Sequence, residues 1–205
     1  YAPAFSLPDE TRQIIFDSAI RLCKAVNYRN AGTCEFLVDE DNNPYFIEMN
    51  PRIQVEHTVS EEITGIDLVA SQILIAMGYP LDSPEVNIPN QESIKANGYS
   101  IQTRVTTEDP ANNFLPDTGT ITVYRSGSGQ GIRLDGGNAY TSSVVSPFYD
   151  SLLVKVVSHA RTFDVAIRKS LRALTEMRIR GVKTNIPFLV NVLNHPVFQE
   201  GKCYT

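Results

Sequence analysis

A chain of 205 residues with 42% hydrophobic content can build one large or two small domains with real cores. Its net charge of −5 and isoelectric point near 5.2 argue against a nucleic-acid surface, no apolar run approaches the ~20 residues of a membrane span, and no secretory signal opens it. Cys23, Cys34 and Cys203 lack a CxxC spacing and point to free thiols in a reducing compartment, while His57, His159 and His195 are too scattered for a zinc site or a His-based triad.

After an extended, proline-punctuated opening, Asp9 or Glu10 starts a helix whose apolar stripe reads Ile15, Ala19, Leu22 and Val26. Strands over 33–38 and 45–49 follow, joined by 39–44, where Asp, Asn and Pro punctuate the chain. Pairing them as a hairpin sets Val38 against Tyr45, Leu37 against Phe46 and Glu35 against Glu48. Carboxylates directly opposite on antiparallel strands bring their Cβ atoms to roughly 4.5–5.5 Å, and like charges so placed are destabilising. A cation between them removes that cost. Two carboxylates with the Asn50 amide nearby suit Mg²⁺ or Mn²⁺, whose other positions are filled by phosphate and water, so the pair points to a nucleotide.

If the second strand continues, Glu48, Asn50, Arg52, Gln54 and Glu56 share one side, and Met49, Pro51, Ile53, Val55 and His57 take the other. On the polar side Arg52 offers a planar fork to a small oxyanion, Gln54 a donor or acceptor, and Glu56 a base. A solvated strand face would show the same period of two. The facing glutamates, in a row with neither Lys nor Ser, weigh for a site.

Thr58 and Glu61 form a capping box, and a helix from Asp67 through Leu68, Ile73 and Ile75 stops at Gly78 before Pro80. Residues 81–97 carry Pro84 and Pro89 without a clear period and read as a linker between domains at 1–80 and 98–205. Beyond it, strands are predicted over 100–105, 120–125, 132–134, 139–145 and 152–159. Thr162 or Asp164 begins a helix with Ile167, Leu171 and Leu174 on one face, and Thr184 opens another with Pro187 in its first turn. The glycines of SGSGQGI lie between two strands, with no following helix and no Lys-Ser/Thr pair, and read as a loop rather than a phosphate cradle. Arg104, inside the alternation Ile101, Thr103, Val105, either reaches a site or lies on the wet face of a strand. Asp150 either orients an active-site group or caps a turn, and the turn is the better reading.

The run IEMNPRIQVEHTVSEEITGIDLV, with GYSIQTRVTTEDP, FLPDTGTI, YDSLLVKV and RIRGVKTNIPFL further along, resembles the biotin carboxylases, which belong to the ATP-grasp ligases. The resemblance covers the whole chain and is nearest to members whose carboxyl acceptor is pyruvate. It implies an α+β fold: the C-terminal part of an ATP-grasp domain, an antiparallel hairpin with helices, followed by a biotin carboxylase C-terminal domain of mixed, mainly antiparallel sheet and helices. It further implies that Glu35 and Glu48 hold Mg²⁺ or Mn²⁺ against the phosphates of ATP, with Asn50 beside them. Arg52, Gln54 and the backbone of Val55 would form the bicarbonate pocket. Glu56 would deprotonate bicarbonate for attack on the γ-phosphate, giving carboxyphosphate, and Arg104 would stabilise the enolate-like anion of biotin.

Other implications concern what lies outside the chain. Biotin would arrive on a carrier domain, and the N-terminal half of the grasp, with its glycine-rich lid and phosphate-binding lysines, would come from upstream. The chain alone is therefore expected to turn over negligibly. A homodimer contact through the C-terminal domain, near Arg133, is implied as well, in the cytoplasm of a bacterium or, for a eukaryote, the mitochondrial matrix. A non-catalytic assembly module is the alternative reading. Carbamoyl-phosphate synthesis also activates bicarbonate, but the C-terminal motifs oppose it. The final acceptor, pyruvate or an acyl-CoA, is not legible in these residues.

Overall fold

The computed structural model describes residues 1–137 and 139–203. The chain forms two compact units, Pro3–Ala96 and Asn97–Thr205, the latter joined by Tyr1–Ala2. Both combine helices with small antiparallel sheets, so the α+β class holds. Among the described residues no helix is long and apolar enough to cross a membrane.

The first unit opens with α1 (Asp9–Ala25), which starts behind Pro8 with Asp9 and Glu10 in its first turn and Lys24 in its last, complementing the helix dipole. Val26, expected on the buried stripe, is instead the residue that caps α1; it lies past the last helical turn and is 67% exposed. The hairpin follows as β1 (Thr33–Val38) and β2 (Pro44–Asn50). Asp39 organises its loop, accepting from the Asn43 and Asp41 N–H groups at 2.8 and 3.0 Å, from Asn43 Nδ2 and from the Tyr45 hydroxyl. The Asn43 bonds lead in holding the Asp39 carboxyl below its usual range.

The register differs in part from the sequence expectation. Thr33, Cys34 and Glu35 oppose Asn50, Met49 and Glu48, but a bulge follows Glu35, and Phe36, Leu37 and Val38 oppose Phe46, Tyr45 and Pro44. Ile47 is the extra residue. The bulge lets Phe36 and Phe46 meet edge to face at 5.7 Å.

The strand does not run on through the polar row. Pro51 has no N–H to donate to a ladder, and the chain turns at once, Arg52 N–H donating to the Asn50 carbonyl at 2.8 Å. A second turn at Val55–Glu56 leads into α2 (His57–Thr64), with Glu56 at its N-cap in helical conformation. The expected capping box is not formed: α2 has no side-chain cap, and Thr58 is fully buried. Glu61 instead accepts the Leu68 N–H at 2.7 Å, at the start of α3 (Leu68–Ala76), where Asp67 accepts from the Ala70 N–H. Gly78, at φ 101°, follows the end of α3. Residues 81–96 carry their own bonds, Ile88 N–H to the Leu81 carbonyl at 2.7 Å among them, and bury Val86.

In the second unit the main sheet has β10 (Leu152–Ala160) at its centre, flanked antiparallel by β3 (Tyr99–Thr106) and β8 (Ile132–Gly136). The helix α4 (Phe163–Glu176), capped by Thr162, buries Ala166, Ile167, Ala173 and Leu174. Two buried hydroxyls are satisfied between helix and sheet: Ser170 donates to Ser158 at 2.7 Å, and Ser158 to the Ala166 carbonyl. Tyr1 belongs here because Ala2 bridges to Ser100 and its ring packs on Phe163 at 5.1 Å.

Short pairs complete the unit: β4 (Glu108–Asp109) with β5 (Leu115–Pro116), β6 (Gly119–Thr120) with β9 (Val144–Val145), and β7 (Val123–Arg125) with β11 (Arg178–Arg180). The strand expected over 120–125 is therefore broken, its two ends pairing with different partners around the fully buried Ile121. The strand expected over 139–145 shrinks to β9, because Ser142 sits at φ 78° and Ser143 turns back to Tyr140. Then α5 (Ile186–Asn194) and α6 (Pro196–Gln199) close the chain. The N-cap position of α5 is Asn185 rather than Thr184, and its side chain is spent on the sheet edge, accepting from Thr106 N–H and donating to the Arg104 carbonyl, each at 2.9 Å.

Candidate active site

Glu35 and Glu48 occupy directly opposed positions on β1 and β2, and both side chains lie on the same side of the hairpin. Asn50 Nδ2 donates to Glu35 Oε1 at 2.8 Å and to Glu48 Oε1 at 3.1 Å. Gln54 Nε2 donates to Glu35 Oε1 at 3.2 Å. The pair of acids expected to need positive charge between them is thus bridged by an amide donor. Like-charge repulsion across the hairpin is relieved through the partial positive charge of an N–H group.

Three donors of one chemistry meet here: two carboxylates and a carboxamide whose oxygen faces Arg52 Nη2 at 3.4 Å. Which end of the Asn50 amide faces the acids follows the hydrogen-bond network, so a rotation would present its oxygen to a cation. Among the described residues no three His, Cys, Asp or Glu side chains cluster as a metal site. A divalent ion at Glu35 and Glu48 would therefore take its other ligands from oxygen donors such as Asn50, phosphate and water, which fits Mg²⁺ or Mn²⁺.

Gln54 contributes a second feature. Its Oε1 is buried and has no hydrogen-bond partner, an unsatisfied acceptor where buried polar groups are ordinarily paired. Arg52 is exposed, as are Val55 and Glu56 in the turn ahead of α2. The turns at 51–56 replace the straight polar row with a bend. Glu48, Asn50, Gln54 and Glu35 are joined by hydrogen bonds; Arg52 reaches Asn50; Glu56 starts the helix.

His57 and Glu61 were not among the residues singled out for the site from sequence, yet they fix the turn that carries Gln54. His57 Nδ1 lies 2.7 Å from the Gln54 carbonyl, and since a carbonyl only accepts, Nδ1 carries the proton. Its Nε2 faces Glu61 Oε2 at 3.7 Å, with both side chains largely buried. Glu61 in turn holds the start of α3. A His and Glu spaced by four on one helix face was the available signal.

Arg104 is exposed on β3, in the second unit. It stands opposite Lys155 of β10, which stands opposite Asp135 of β8, so one charged row crosses the sheet. Asp135 receives Arg133 Nε at 2.7 Å, Arg133 Nη2 at 3.2 Å and Lys155 Nζ at 3.1 Å. Burial works to raise the Asp135 pKa, but the two cations outweigh it and hold the carboxyl below its usual range. Asp150 accepts the Leu152 N–H at 2.7 Å, as a turn residue does. The SGSGQGI segment connects β7 to β8 with no helix after it.

A family model for the biotin carboxylase C-terminal domain matches residues 102–205. The chain belongs to the biotin carboxylase family. Residues 1–84 of this biotin carboxylase chain also match the model for the ATP binding domain of the carbamoyl-phosphate synthase L chain. Pyruvate carboxylase of Aspergillus terreus is 56% identical over 204 residues, covering all of this chain and 17% of its own length. The solved structure of a complete multifunctional pyruvate carboxylase from Rhizobium etli is 50% identical, with a TM-score of 0.95 over 98% of this chain and 20% of that one. The biotin carboxylase domain dimer of Hydrogenobacter thermophilus 2-oxoglutarate carboxylase, solved with MgADP, ADP and bicarbonate, is 42% identical with a TM-score of 0.92, over 98% of this chain and 43% of that one. The chain thus spans about a sixth of the length of the first of these relatives.

Proposed function

We propose that this chain is the segment of a pyruvate carboxylase in which bicarbonate is activated by ATP and handed to biotin. The observation that carries the reading is the convergence of Glu35, Glu48 and Gln54 on one hydrogen-bonded cluster around Asn50, followed within a few residues by Arg52 and Glu56. The fold likeness and the identity to pyruvate carboxylases support it along the whole chain.

In this reading Glu35 and Glu48, with Asn50, hold a divalent ion whose charge offsets that of the ATP phosphates. Arg52 takes the bicarbonate anion through its guanidinium fork, and the orphan Gln54 Oε1 accepts the O–H of the same anion, fixing its orientation. The backbone of Val55 lines the pocket. Glu56 removes the proton, a carbonate oxygen bonds to the γ-phosphorus, and ADP leaves with the electrons of the broken P–O bond, giving carboxyphosphate. Arg104 would offset, through its guanidinium, the negative charge that develops on the ureido group of biotin when the cofactor is bound.

The partners follow from the same reading: a biotin-bearing carrier domain, and another part of the grasp that covers the exposed apolar flank Leu37, Tyr45, Phe46 and Ile47. A homodimer contact through the second unit is supported by the dimeric Hydrogenobacter relative. The test is a graft. Residues 1–205 replace the matching segment of the Rhizobium etli enzyme, and bicarbonate-dependent ATP cleavage is measured. Cleavage is expected to persist in the graft and to fall at least a hundredfold, roughly the contribution of a general base, in its Glu56→Gln form. An active graft indifferent to Glu56→Gln overturns the assignment.

A further inference from the structure

On the side of the hairpin away from the acids, two cysteines share a cavity that the carboxylation chemistry does not use. Strand residues alternate between faces, so Cys34, the residue before Glu35, points away from the acid pair. Opposite it in register is Met49, and Cys23 comes from the last turns of α1. All three residues line one open cavity of about 630 Å³, with Tyr28 and Lys24 among its other walls. Both cysteines are half-buried and neither is bonded, whereas Cys203 is exposed near the end of the chain.

We propose that Cys23 and Cys34 are a vicinal dithiol that a small-molecule disulfide oxidises to an intramolecular disulfide, tying the end of α1 to the strand that carries Glu35. The chain between them favours closure. It turns sharply, with Asn27 at φ 49° and Asn30 at φ 83°, and the Tyr28 hydroxyl donates to the Ala31 carbonyl at 2.6 Å, which folds the segment between α1 and β1 back on itself. The thiolate is the attacking species in thiol–disulfide exchange, so the reaction is run above neutral pH.

The electron count is that of ordinary exchange. A thiolate of the pair attacks the added disulfide, one thiolate leaves, and a mixed disulfide forms. The second cysteine thiolate then attacks the first protein sulfur and expels the other thiolate. The two protein thiols lose two electrons and two protons, and the added disulfide is reduced to two thiols. Reaching disulfide geometry needs Cα atoms within roughly 4.4–6.8 Å and a rotation about χ1.

The experiment treats the 205-residue chain with oxidised glutathione at about pH 8.5, where an ordinary thiol is half ionised, then alkylates free thiols and maps peptides by mass spectrometry. The expected result is a Cys23–Cys34 linked peptide, a loss of two hydrogen atoms for that bond, and full reversal by dithiothreitol. In Cys23→Ser the linked peptide is absent and Cys34 is recovered alkylated or glutathionylated. Cys203→Ser retains the link, which keeps the assignment independent of the tail. Recovery of Cys23 and Cys34 as free thiols while Cys203 is glutathionylated overturns the proposal, as does a link that includes Cys203.

Discussion

Glu48→Gln should change the sign of its stability effect with the metal content of the buffer. Glutamine keeps the Oε1 acceptor that receives Asn50 Nδ2 at 3.1 Å and removes one of two negative charges placed directly opposite each other. Cross-strand like-charge pairs cost roughly 0.2–1 kcal/mol, so in chelator the variant should be more stable than the parent by about 0.5 kcal/mol. With Mn²⁺ at ten times its dissociation constant, the parent gains about 1.4 kcal/mol by mass action, and the variant, having lost a ligand, gains little. A unit of this size shifts by about 4–8 °C per kcal/mol. Glu48→Gln should therefore melt about 2–4 °C above the parent in EDTA and about 4–7 °C below it in Mn²⁺. Differential scanning calorimetry of both proteins in both buffers reads the crossing directly. If the order of melting is the same in both buffers, or if Mn²⁺ leaves the parent unmoved, the acid pair is not a cation site.

Asp135→Asn should destabilise the second unit by about 1–2 kcal/mol in urea titration, because it removes the negative charge that Lys155 Nζ meets at 3.1 Å and Arg133 Nε at 2.7 Å. The parent carries a pH signature of the same bond. The Asp135 pKa is lower folded than unfolded, so its contribution is complete above the unfolded value of about 3.9 and is lost as pH falls through the lower folded value; Asp135→Asn should flatten that acid limb. Glu61→Ala should cost about 1–3 kcal/mol by removing the acceptor of the Leu68 N–H and the carboxylate facing His57 Nε2 together, read as a lowered urea midpoint of the first unit. Gly181→Ala should cost about 1–3 kcal/mol, since its φ of +99° is left-handed and a Cβ there would run into the Thr120 carbonyl; circular dichroism melts check this.

Helix positions and the acid pairing were legible because they rest on local rules. Thr162 and Asp67 are helix caps as their residue types suggest, accepting from Val165 and Ala70 N–H groups, and Glu35 faces Glu48 as the hairpin arithmetic required. What sequence could not give is what depends on distant partners. The strand over 120–125 splits because its halves find β9 and β11, separated widely along the chain. The polar row bends because Pro51 cannot donate to a ladder, a signal present in the sequence but outweighed there by the period of two. Glu61 caps α3 rather than α2, a choice settled only once both helices are placed.

The extra residue at Ile47 separates two tasks within one hairpin. Between the loop and the irregularity the strands are matched by one offset, and from Glu35 and Glu48 outward by another. Lengthening or shortening the Asp39–Asn43 connection would be absorbed as slippage of the aromatic end, Phe36 against Phe46, before it displaced the carboxylates. A change in the length of the ribbon's tip can therefore be taken up at the bulge while the spacing of the two carboxylates is kept.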